Sequence, residues 1–339
     1  MYIHAFAARE PRAALHPFDY EPRKLGPYDL DIEVIKCGVC HSDVHLIDDD
    51  WNVSRYPLVP GHEIVGTVAA TGAKVKRLSL GQRVGIGWQS GSCLRCEWCL
   101  NGYENLCRNK VLTCVNRHGG FADFVRTDSR FAFAIPDSLD SADAAPLLCA
   151  GVTVYAPMRR FGLRPHHCVG VVGIGGLGHI AVQFAHAIGC DVTAFSTSPE
   201  KKDDAADFGA DQFVNSRDAK EMRETARTLD FILSTATVAL PWSEYMEALR
   251  PNGQLMIVSR LSSHGNIGTV EVPAPILVAG QKSISGTVTG GRDVMREMLA
   301  FAARHHIVAG SEVFPYENVN DAVQRVRNHK AHYRVVLQM

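Results

Sequence analysis

The sequence predicts an α/β protein in which a doubly wound α/β domain is inserted into a β-rich domain. Up to about residue 145, short β-branched or alternating runs are separated by Gly and Pro, which is typical of strands and turns. From about Val169, strand-like and helix-like segments alternate, which predicts a parallel sheet of about six strands. The chain then ends in a strand-like run, Tyr333–Leu337. We therefore expect the C-terminal segment to return to the β-rich domain and complete it.

Local sequence signals predict the individual helices and strands. Leu177, Ala181, Phe184 and Ile188 repeat at helical spacing. Ser198 caps a further helix, with Pro199 at its first position and Gly209 at its end. The other predicted helices are Trp242–Leu249, Asp293–His306 and Asn318–Asn328. The predicted strands are Tyr2–Ala7, Asp31–Lys36, Ile64–Ala69, Gln82–Ile86, Val169–Gly173, Val192–Phe195, Gln212–Val214, Phe231–Ser234, Leu255–Ser259, Ser283–Thr287 and Tyr333–Leu337.

Composition limits the functional class. A chain of 339 residues is about right for two domains. The formal net charge of −1 gives no global electrostatic reason to bind nucleic acid or an acidic membrane. The apolar run from Cys168 to Gly189 is interrupted by glycines, so we interpret it as strand, turn and helix and not as a membrane span. The N-terminus shows no signal-peptide core. With ten cysteines and no export signal, we therefore expect a cytoplasmic protein. In such a reducing compartment, clustered cysteines bind metal more often than they form disulfides.

A glycine-rich turn marks a nucleotide site. Gly173, Gly175, Gly176, Leu177 and Gly178 lie between a predicted strand and a predicted amphipathic helix. In that context a GxGxxG pattern predicts dinucleotide binding, because glycines let the backbone approach a pyrophosphate and the helix N-terminus favours its negative charge. The alternative is a tight turn packed against a neighbouring segment.

The end of the next strand indicates which dinucleotide binds. An Asp or Glu usually contacts a free ribose 2′-hydroxyl there, but this strand ends in Ser196, Thr197 and Ser198, followed by Glu200 and Lys201. Small hydroxyl groups and a lysine suit a 2′-phosphate, so we expect NADP(H) in preference to NAD(H). The acidic residue Glu200 is evidence against this preference for NADP(H). The alternative interpretation of Lys201 is that it lies on a solvated helix face.

Four clustered cysteines predict a closed metal site. Cys93, Cys96, Cys99 and Cys107 have the spacing C-x2-C-x2-C-x7-C. Four thiolates satisfy a tetrahedral zinc ion with no open position, as a structural site requires. An iron–sulfur cluster is the competing interpretation, and a disulfide pair is a weaker one in a reducing compartment.

A second set of ligand types is spread along the chain. The stretch Cys37–His45 reads CGVCHSDVH and follows a predicted strand, and His62 and Glu63 stand side by side after a glycine. By itself, the CxxC pair fits a zinc knuckle, a redox dithiol or two packed thiols. With one of its thiolates, His62 and Glu63 would leave zinc one ligand short, and Cys149 could supply it.

Together these motifs resemble a known family. The GHE at 61–63, the four-cysteine loop at 93–107, the glycine turn at 173–178 and CAGVTVY at 149–155 occur in an order similar to that of the zinc-dependent medium-chain alcohol dehydrogenases. CGVCHSDVH at 37–45 and STSPEKK at 196–202 look most like the cinnamyl alcohol dehydrogenase subfamily and its bacterial aldehyde-reductase relatives. The resemblance covers nearly the whole chain.

The resemblance implies a fold and a metal site. It implies a GroES-like catalytic domain at residues 1–148 and 286–339, with a Rossmann NADP(H)-binding domain at 149–285. It implies that Cys40, His62 and Cys149 hold a catalytic zinc and that Glu63 occupies the fourth position when substrate is away. Cys37 would then be a packed residue. Two zinc ions per chain and a homodimer joined along the cofactor-domain sheets are implied as well.

The same resemblance implies roles around the reacting groups. Ser42 and His45 would relay the proton, with Asp50 behind His45. Trp51 and Trp88 would line the substrate pocket, although ordinary burial also explains them. Three threonines would contact the cofactor, Thr153 near its phosphates and Thr235 and Thr287 along the nicotinamide. Cys114, Cys168 and Cys190 fit no ligand set and are read as packed or free thiols.

The predicted function follows from these parts. We expect reversible hydride transfer between NADPH and an aromatic or aliphatic aldehyde, with zinc polarising the carbonyl and Ser42 and His45 relaying the proton. An NAD-dependent dehydrogenase of a secondary alcohol or polyol is the alternative enzyme. A non-catalytic nucleotide-binding protein with the same fold is a further alternative.

Overall fold

The computed structural model describes residues 2–260, 262–263 and 266–339. These form two compact units, Met1–Val152 with Gly290–Met339 (the first unit) and Thr153–Thr289 (the second unit). The second unit interrupts the chain of the first, which is the inserted architecture that the sequence predicts.

The strands are defined in chain order. They are β1 (Ile3–Ala7), β2 (His16–Tyr20), β3 (Asp29–Val39), β4 (Glu63–Thr71), β5 (Arg83–Ile86), β6 (Gln89–Gly91), β7 (Val111–Leu112), β8 (Phe124–Asp128), β9 (Phe133–Ala134), β10 (Cys168–Val172), β11 (Asp191–Ser196), β12 (Gln212–Asn215), β13 (Leu229–Ser234), β14 (Leu249–Ile257), β15 (Ser262–Ser263), β16 (Asn266–Ile267), β17 (Ser283–Gly286), β18 (Ser311–Pro315) and β19 (Arg334–Gln338). Every strand predicted from the sequence is among them, with its ends shifted.

The helices follow the same order. They are α1 (His41–Asp48), α2 (Glu97–Leu100), α3 (Ser141–Pro146), α4 (Val152–Arg160), α5 (Gly178–Ile188), α6 (Lys202–Asp207), α7 (Ala219–Glu224), α8 (Trp242–Ala248), α9 (Ala274–Gly280), α10 (Arg292–His305) and α11 (Val319–Arg327). A π-helical turn, Leu147–Gly151, lies between α3 and α4. Short 3-10 turns are Glu104–Leu106, Ser129–Phe131, Pro199–Lys201 and Tyr316–Asn318.

A seven-stranded mixed sheet organises the first unit. Its strands lie in the order β18-β19-β3-β4-β5-β9, and β8 also pairs with β3. The long strand β3 pairs with β4 on one side and with β19 and β8 on the other. Its apolar residues Leu30, Ile32 and Val39 are almost fully buried and belong to the hydrophobic core of this unit. This central strand leads directly into Cys40 and α1.

The second unit contains the predicted parallel sheet. Six strands lie in the order β12-β11-β10-β13-β14-β17, and each neighbouring pair is parallel. This is a doubly wound arrangement in which the strand order reverses beside the first strand, β10. Buried aromatic residues such as Phe195 and Tyr245, whose rings lie 5.6 Å apart, fill the space between the sheet and α8.

The apolar run from Cys168 to Gly189 folds as the sequence predicts. It forms β10, a turn and α5, which ends at Gly189 in the left-handed conformation with φ of 95°. Among the described residues, no helix combines the length and apolar character needed to cross a membrane.

Candidate active site

Four predicted ligands come together in the first unit. One donor atom each from Cys40, His62, Glu63 and Cys149 lies within 4.8 Å of the others. Cys40 follows the end of β3 and precedes α1, and Glu63 begins the neighbouring strand β4. Cys149 lies in the buried π-helical turn. Adjacent strands and this turn thus assemble residues that are more than a hundred positions apart.

The orientation of His62 fits a metal ligand. Its Nδ1 lies 2.9 Å from Asp43 Oδ1, and the ring is fully buried. Because a carboxylate can only accept here, Nδ1 carries the proton and Nε2 keeps its lone pair. Nε2 is buried and has no hydrogen-bond partner among the described residues. A metal ion held with the two thiolates would satisfy it.

Asp43 arranges this corner of the site. Besides the His62 ring, its carboxylate accepts the backbone N–H of Cys40 at 2.9 Å and that of Gly61 at 2.9 Å. It therefore orients two ligands at once. Sequence reasoning did not single out Asp43, although a carboxylate three residues after the residue that precedes a helix is a recognisable capping signal.

Glu63 is held by a buried ion pair. Its Oε1 accepts from Nη2 of Arg334, which is itself buried, while Oε2 is buried without a partner among the described residues. Burial raises the pKa of Glu63 to about 8, although Arg334 opposes that shift. Gly38 faces Glu63 across the β3–β4 pair, and a Cβ on Gly38 would lie 2.0 Å from Oε2. The glycine of the CGVC stretch thus makes room for the Glu63 side chain.

The donor set suits zinc. Two thiolates, one imidazole and one carboxylate are ligands that zinc accepts in a tetrahedral arrangement. The hydrogen bond from the Cys149 thiol and the neighbouring His62 hold the pKa of Cys40 well below its ordinary value, against the effect of burial. Thiolate character of this kind is what a metal ligand needs.

The remaining cysteines near the site lie outside this set. Cys37 is fully buried, and its Sγ lies 3.7 Å from the Gly38 carbonyl. Cys114 is also buried and donates to the Gly61 carbonyl at 3.1 Å. Its sulfur lies near donor atoms of Asp43 and His62, but the Asp43 oxygens already accept three hydrogen bonds. This second group is therefore better explained by hydrogen bonding than by a metal ion.

The predicted relay residues lie on α1. Ser42 and His45 are three positions apart, so their side chains share one face of the helix. His45 Nδ1 lies 2.7 Å from Asp50 Oδ2, and the His45 ring is about one third exposed. This contact places Asp50 against Nδ1 of His45, so the other ring nitrogen, Nε2, takes no part in it.

Two tryptophans border the metal-ligand cluster. The Trp51 ring lies 5.2 Å from the His45 ring and 6.0 Å from the Trp88 ring. Trp88 in turn makes an edge contact with His62 at 4.8 Å. The two indoles form an aromatic wall that connects the relay histidine with a metal ligand.

The four-cysteine loop forms a compact sulfur cluster. The Sγ–Sγ distance is 3.5 Å for Cys96–Cys99 and for Cys93–Cys107, and 3.9 Å for Cys93–Cys99. Thiolates around one tetrahedral zinc ion would lie about 3.8 Å apart, given zinc–sulfur bonds of about 2.3 Å. A disulfide would need about 2 Å. A multi-iron cluster would hold the sulfurs further apart, because iron and sulfide atoms would lie between them.

In the second unit, the glycine turn connects β10 to α5. Leu177 immediately precedes α5. A Cβ on Gly178 would lie 1.8 Å from the Gly173 carbonyl oxygen, whereas a Cβ on Gly175 would meet nothing within 4 Å. The turn is thus tight at its base and open at its tip, where a pyrophosphate would approach the backbone. The Thr235 hydroxyl lies 2.8 Å from the Gly173 carbonyl and stabilises the base of the turn.

The residues predicted to select the nucleotide lie at the end of β11. Lys201 Nζ donates to the Ile174 carbonyl at 2.5 Å, so this side chain reaches from the β11 end to the glycine turn. Ser196 is buried, and its Oγ accepts the backbone N–H of Ser198 at 3.1 Å. Thr197 is exposed.

The other two predicted cofactor contacts lie elsewhere in the second unit. Thr153 is buried in the first turn of α4. The hydroxyl of Thr287 is buried without a partner among the described residues, which leaves it available to a bound ligand.

Comparison with known families agrees with this architecture. The family model described as "Alcohol dehydrogenase GroES-like domain" matches residues 26–137. The model described as "Zinc-binding dehydrogenase" matches residues 176–304.

Individual relatives are similar over the full length. The aldehyde reductase AdhA of Synechocystis is 42% identical, over 99% of this chain and 98% of the relative. A cinnamyl alcohol dehydrogenase from Sorghum bicolor has a TM-score of 0.94 and 39% identity, and the match covers 100% of this chain and 98% of that one. A cinnamyl alcohol dehydrogenase from Helicobacter pylori, complexed with NADP(H), has a TM-score of 0.91 and 29% identity, covering 100% and 98%.

These similarities define the class of protein. The chain belongs to the zinc-dependent medium-chain alcohol dehydrogenase family and is of the cinnamyl alcohol dehydrogenase type. Its activity is that of an alcohol dehydrogenase or aldehyde reductase. The GroES-like and Rossmann architecture predicted from the sequence is confirmed.

Proposed function

We propose that the protein is a zinc-dependent, NADP(H)-preferring alcohol dehydrogenase that reversibly reduces aromatic or longer aliphatic aldehydes. The observation that carries this proposal is the buried Nε2 of His62, which has no protein partner among the described residues and belongs to a cluster with two thiols and a carboxylate. A buried polar atom without a partner is costly unless a ligand satisfies it.

Cys40, His62 and Cys149 would hold the catalytic zinc, with Glu63 able to take the fourth position when substrate is away. When bound, the metal supplies Lewis-acid polarisation of the substrate oxygen. Glu63 is held back by Arg334 through one carboxylate oxygen, which leaves the other oxygen to approach or leave the ligand cluster.

Ser42, His45 and Asp50 would carry the proton. The Asp50 carboxylate accepts from Nδ1 of His45 and so fixes the tautomer in which Nε2 is the proton acceptor. The Ser42 hydroxyl, on the same helix face, would connect the substrate oxygen to this imidazole. The partial exposure of His45 lets the proton exchange with solvent.

The glycine turn and the end of β11 would bind NADP(H). Gly173, Gly175, Gly176, Leu177 and Gly178 would hold the pyrophosphate at the N-terminus of α5. Ser196, Thr197, Ser198 and Lys201 would bind the 2′-phosphate, and Thr153, Thr235 and Thr287 would complete the site. The cofactor supplies the hydride. Support comes from the absence of an acidic residue at the β11 end and from the NADP(H) complex of the Helicobacter pylori relative.

Cys93, Cys96, Cys99 and Cys107 would hold a second, structural zinc, for a total of two ions per chain. Their mutual distances support this assignment, and four thiolates leave no open position for substrate. Trp51 and Trp88 would form an aromatic wall of the substrate pocket, which suits an aromatic or longer aliphatic aldehyde.

We further propose a homodimer in a reducing compartment such as the cytoplasm. Among the described strands, the edge strand β17 pairs only with β14. Ile276 and Leu277 of the apolar helix α9 are only partly buried against the described residues, and its Val278 is 77% exposed. An unpaired strand edge beside an exposed apolar helix suits association with a second copy. Six cysteines of the two ligand sets must remain thiolates to bind metal.

The direct test is an aldehyde and alcohol panel with NADPH and NADH, followed by nicotinamide absorbance. We expect reduction of aromatic and medium-chain aldehydes with a clear preference for NADPH. Oxidation of polyols or secondary alcohols with NAD alone would contradict the proposal and favour the alternative enzyme. Absence of zinc-dependent hydride transfer across the whole panel would favour a non-catalytic nucleotide-binding protein.

A further inference from the structure

One ion pair in the first unit, with a buried carboxylate, belongs to neither metal cluster. Glu104 lies in the four-cysteine loop between Cys99 and Cys107, and it is only 2% exposed. Its Oε1 accepts from Arg292 Nε at 2.7 Å, and its Oε2 accepts from the backbone N–H of Arg292 at 3.1 Å. Both carboxylate oxygens are thus committed to a residue 188 positions away.

The pair joins the loop to the start of a long helix. Arg292 is the first residue of α10, so the Glu104 carboxylate caps a helix N-terminus, where the backbone N–H groups and the helix dipole favour negative charge. The Arg292 guanidinium also lies over the buried Phe131 ring, 5.4 Å from its centroid. A doubly bonded pair with a buried carboxylate fixes the two segments firmly, and removing the arginine would leave the Glu104 charge buried and uncompensated.

The two backbones also touch. A Cβ on Gly291 would lie 1.9 Å from the carbonyl oxygen of Gly102. No side chain larger than hydrogen fits there without moving the loop away from α10. The contact between the four-cysteine loop and the helix is therefore made by backbone as well as by the ion pair.

Helix α10 also packs on the turn that carries Cys149. The Met298 sulfur lies 3.1 Å from the position of a Cβ on Gly151, and a Cβ on Gly290 would lie 2.8 Å from Val152 Cγ2. Met295 and the Leu148 carbonyl both lie against Gly87. Met295, Met298 and Leu299 are buried. The π-helical turn Leu147–Gly151 is thus supported by the helix that Glu104 caps.

From these contacts we propose that Glu104 and Arg292 are positioning residues for the catalytic metal. They hold α10 against the four-cysteine loop, and α10 in turn holds the π-helical turn so that Cys149 meets Cys40 and His62. This inference rests on the proposed function, because it assigns a purpose to the geometry of the Cys149 ligand. It explains why a buried carboxylate outside both donor sets stands within the four-cysteine loop.

The test compares Glu104→Gln with Glu97→Gln, an exposed glutamate of the same loop. Each full-length zinc-loaded protein is exposed to a chelator, and the release of the two metal ions is followed over time. We expect Glu104→Gln to retain the ion of the four-cysteine loop and to release the other ion about tenfold faster, in the range typical of outer-sphere partners. Glu97→Gln should match the unchanged protein.

A spectroscopic measurement accompanies the release rates. With cobalt in the catalytic site, we expect Glu104→Gln to shift the d–d absorption bands of cobalt and to lower kcat more than it raises KM. Release of the four-cysteine ion alone, with unchanged cobalt bands, would overturn the proposal, because the pair would then serve only its own loop.

Two further variants keep the proposal testable if Glu104→Gln folds poorly. Gly291→Ala separates the loop from α10 by steric contact without removing a charge, and we expect it to reproduce the faster release of the catalytic ion.

Arg292→Lys keeps the cation and should retain more of the wild-type behaviour than Arg292→Ala. Equal effects of Lys and Ala, with normal cobalt bands in both, would overturn the proposal. Wild-type protein that holds no second ion would instead contradict the proposed function.

Discussion

The Asp43 carboxylate controls the candidate metal site without belonging to its donor set. It is fully buried and accepts from Cys40, Gly61 and His62. Replacing it with Asn keeps the shape but turns one acceptor into a donor that faces an N–H group. We expect Asp43→Asn to weaken binding of the catalytic zinc by about 10- to 100-fold, measured by competition with a chelating dye.

Asp50→Asn is the matched control for that variant. In the part of the chain that the structure describes, Asp50 hydrogen-bonds to His45 and to none of the proposed metal ligands. Zinc affinity should therefore stay within about twofold, while activity falls through loss of the His45 tautomer. Equal losses of zinc affinity in the two variants would contradict the role given to Asp43.

In the proposed function, Lys201 is the residue on which the preference for NADPH depends. We expect Lys201→Ala to raise KM for NADPH about tenfold, because a charge-assisted hydrogen bond to the 2′-phosphate is lost. Its contact with the Ile174 carbonyl also supports the glycine turn, so a smaller rise for NADH is expected. Steady-state kinetics with both cofactors measure this, with the exposed Lys202→Ala as control. An unchanged KM for NADPH, or equal rises for both cofactors, would contradict the assignment.

Sequence reasoning found the residues that carry a local motif and missed those defined by long-range contact. The glycine turn is indicated by its pattern between a predicted strand and a predicted helix, and the cysteine loop by its spacing together with the family resemblance. Arg334 hydrogen-bonds to Glu63, which lies 271 positions away in the sequence. Arg292 hydrogen-bonds to Glu104, which lies 188 positions away. One sequence contains no information that pairs such residues. A charged residue inside the apolar closing strand was the one available signal for Arg334.

At the scale of elements, the strand that leads to the site was predicted too short. The alternation in Asp31–Lys36 predicts that strand, whereas β3 extends to Val39 because Cys37, Gly38 and Val39 pair with β19. Helix α3 and the π-helical turn were not predicted, and both contain a residue that disfavours helix interiors, Pro146 in α3 and Gly151 in the turn. The Cys149 turn therefore had to be found from structure.

The close packing between β3 and β4 leads to a testable prediction at Gly38. An alanine there would place its Cβ 2.0 Å from Glu63 Oε2. We expect Gly38→Ala to lower the free energy of unfolding by about 1–3 kcal/mol through overpacking, measured by denaturant titration. Gly286→Ala is the control, since a Cβ there meets nothing within 4 Å. Equal stability of the two variants would show that the strand pair can move apart freely.

At the scale of the whole molecule, the inserted architecture was predictable because the hydrophobic pattern of the sequence changes where the inserted domain begins. A change from alternating runs to strand–helix repeats marks the second unit, and six parallel strands are present there as predicted. The exposure of α9 was not predictable, since its apolar sequence resembles that of a buried helix.

That exposed helix supplies a prediction about assembly. We expect the wild-type protein to show about twice the chain mass of 37.1 kDa in light scattering. Val278→Glu should shift the mass toward the monomer, because a charge would be buried at the interface without a partner. Leu80→Glu, at a residue 66% exposed in the first unit, is the control. A monomeric wild-type protein, or a Val278→Glu variant that stays dimeric, would contradict the proposed interface.

The central claim is that two separate donor sets hold two zinc ions and that only one of them serves catalysis. The measurement that tests it most directly is zinc content per chain, determined together with aldehyde reduction, for the wild type, Cys40→Ser and the control Cys168→Ser. We predict about two, one and two zinc ions per chain, respectively, with activity reduced about a thousandfold or more in Cys40→Ser alone. One zinc per chain in the wild type, with full activity in Cys40→Ser, would contradict the account.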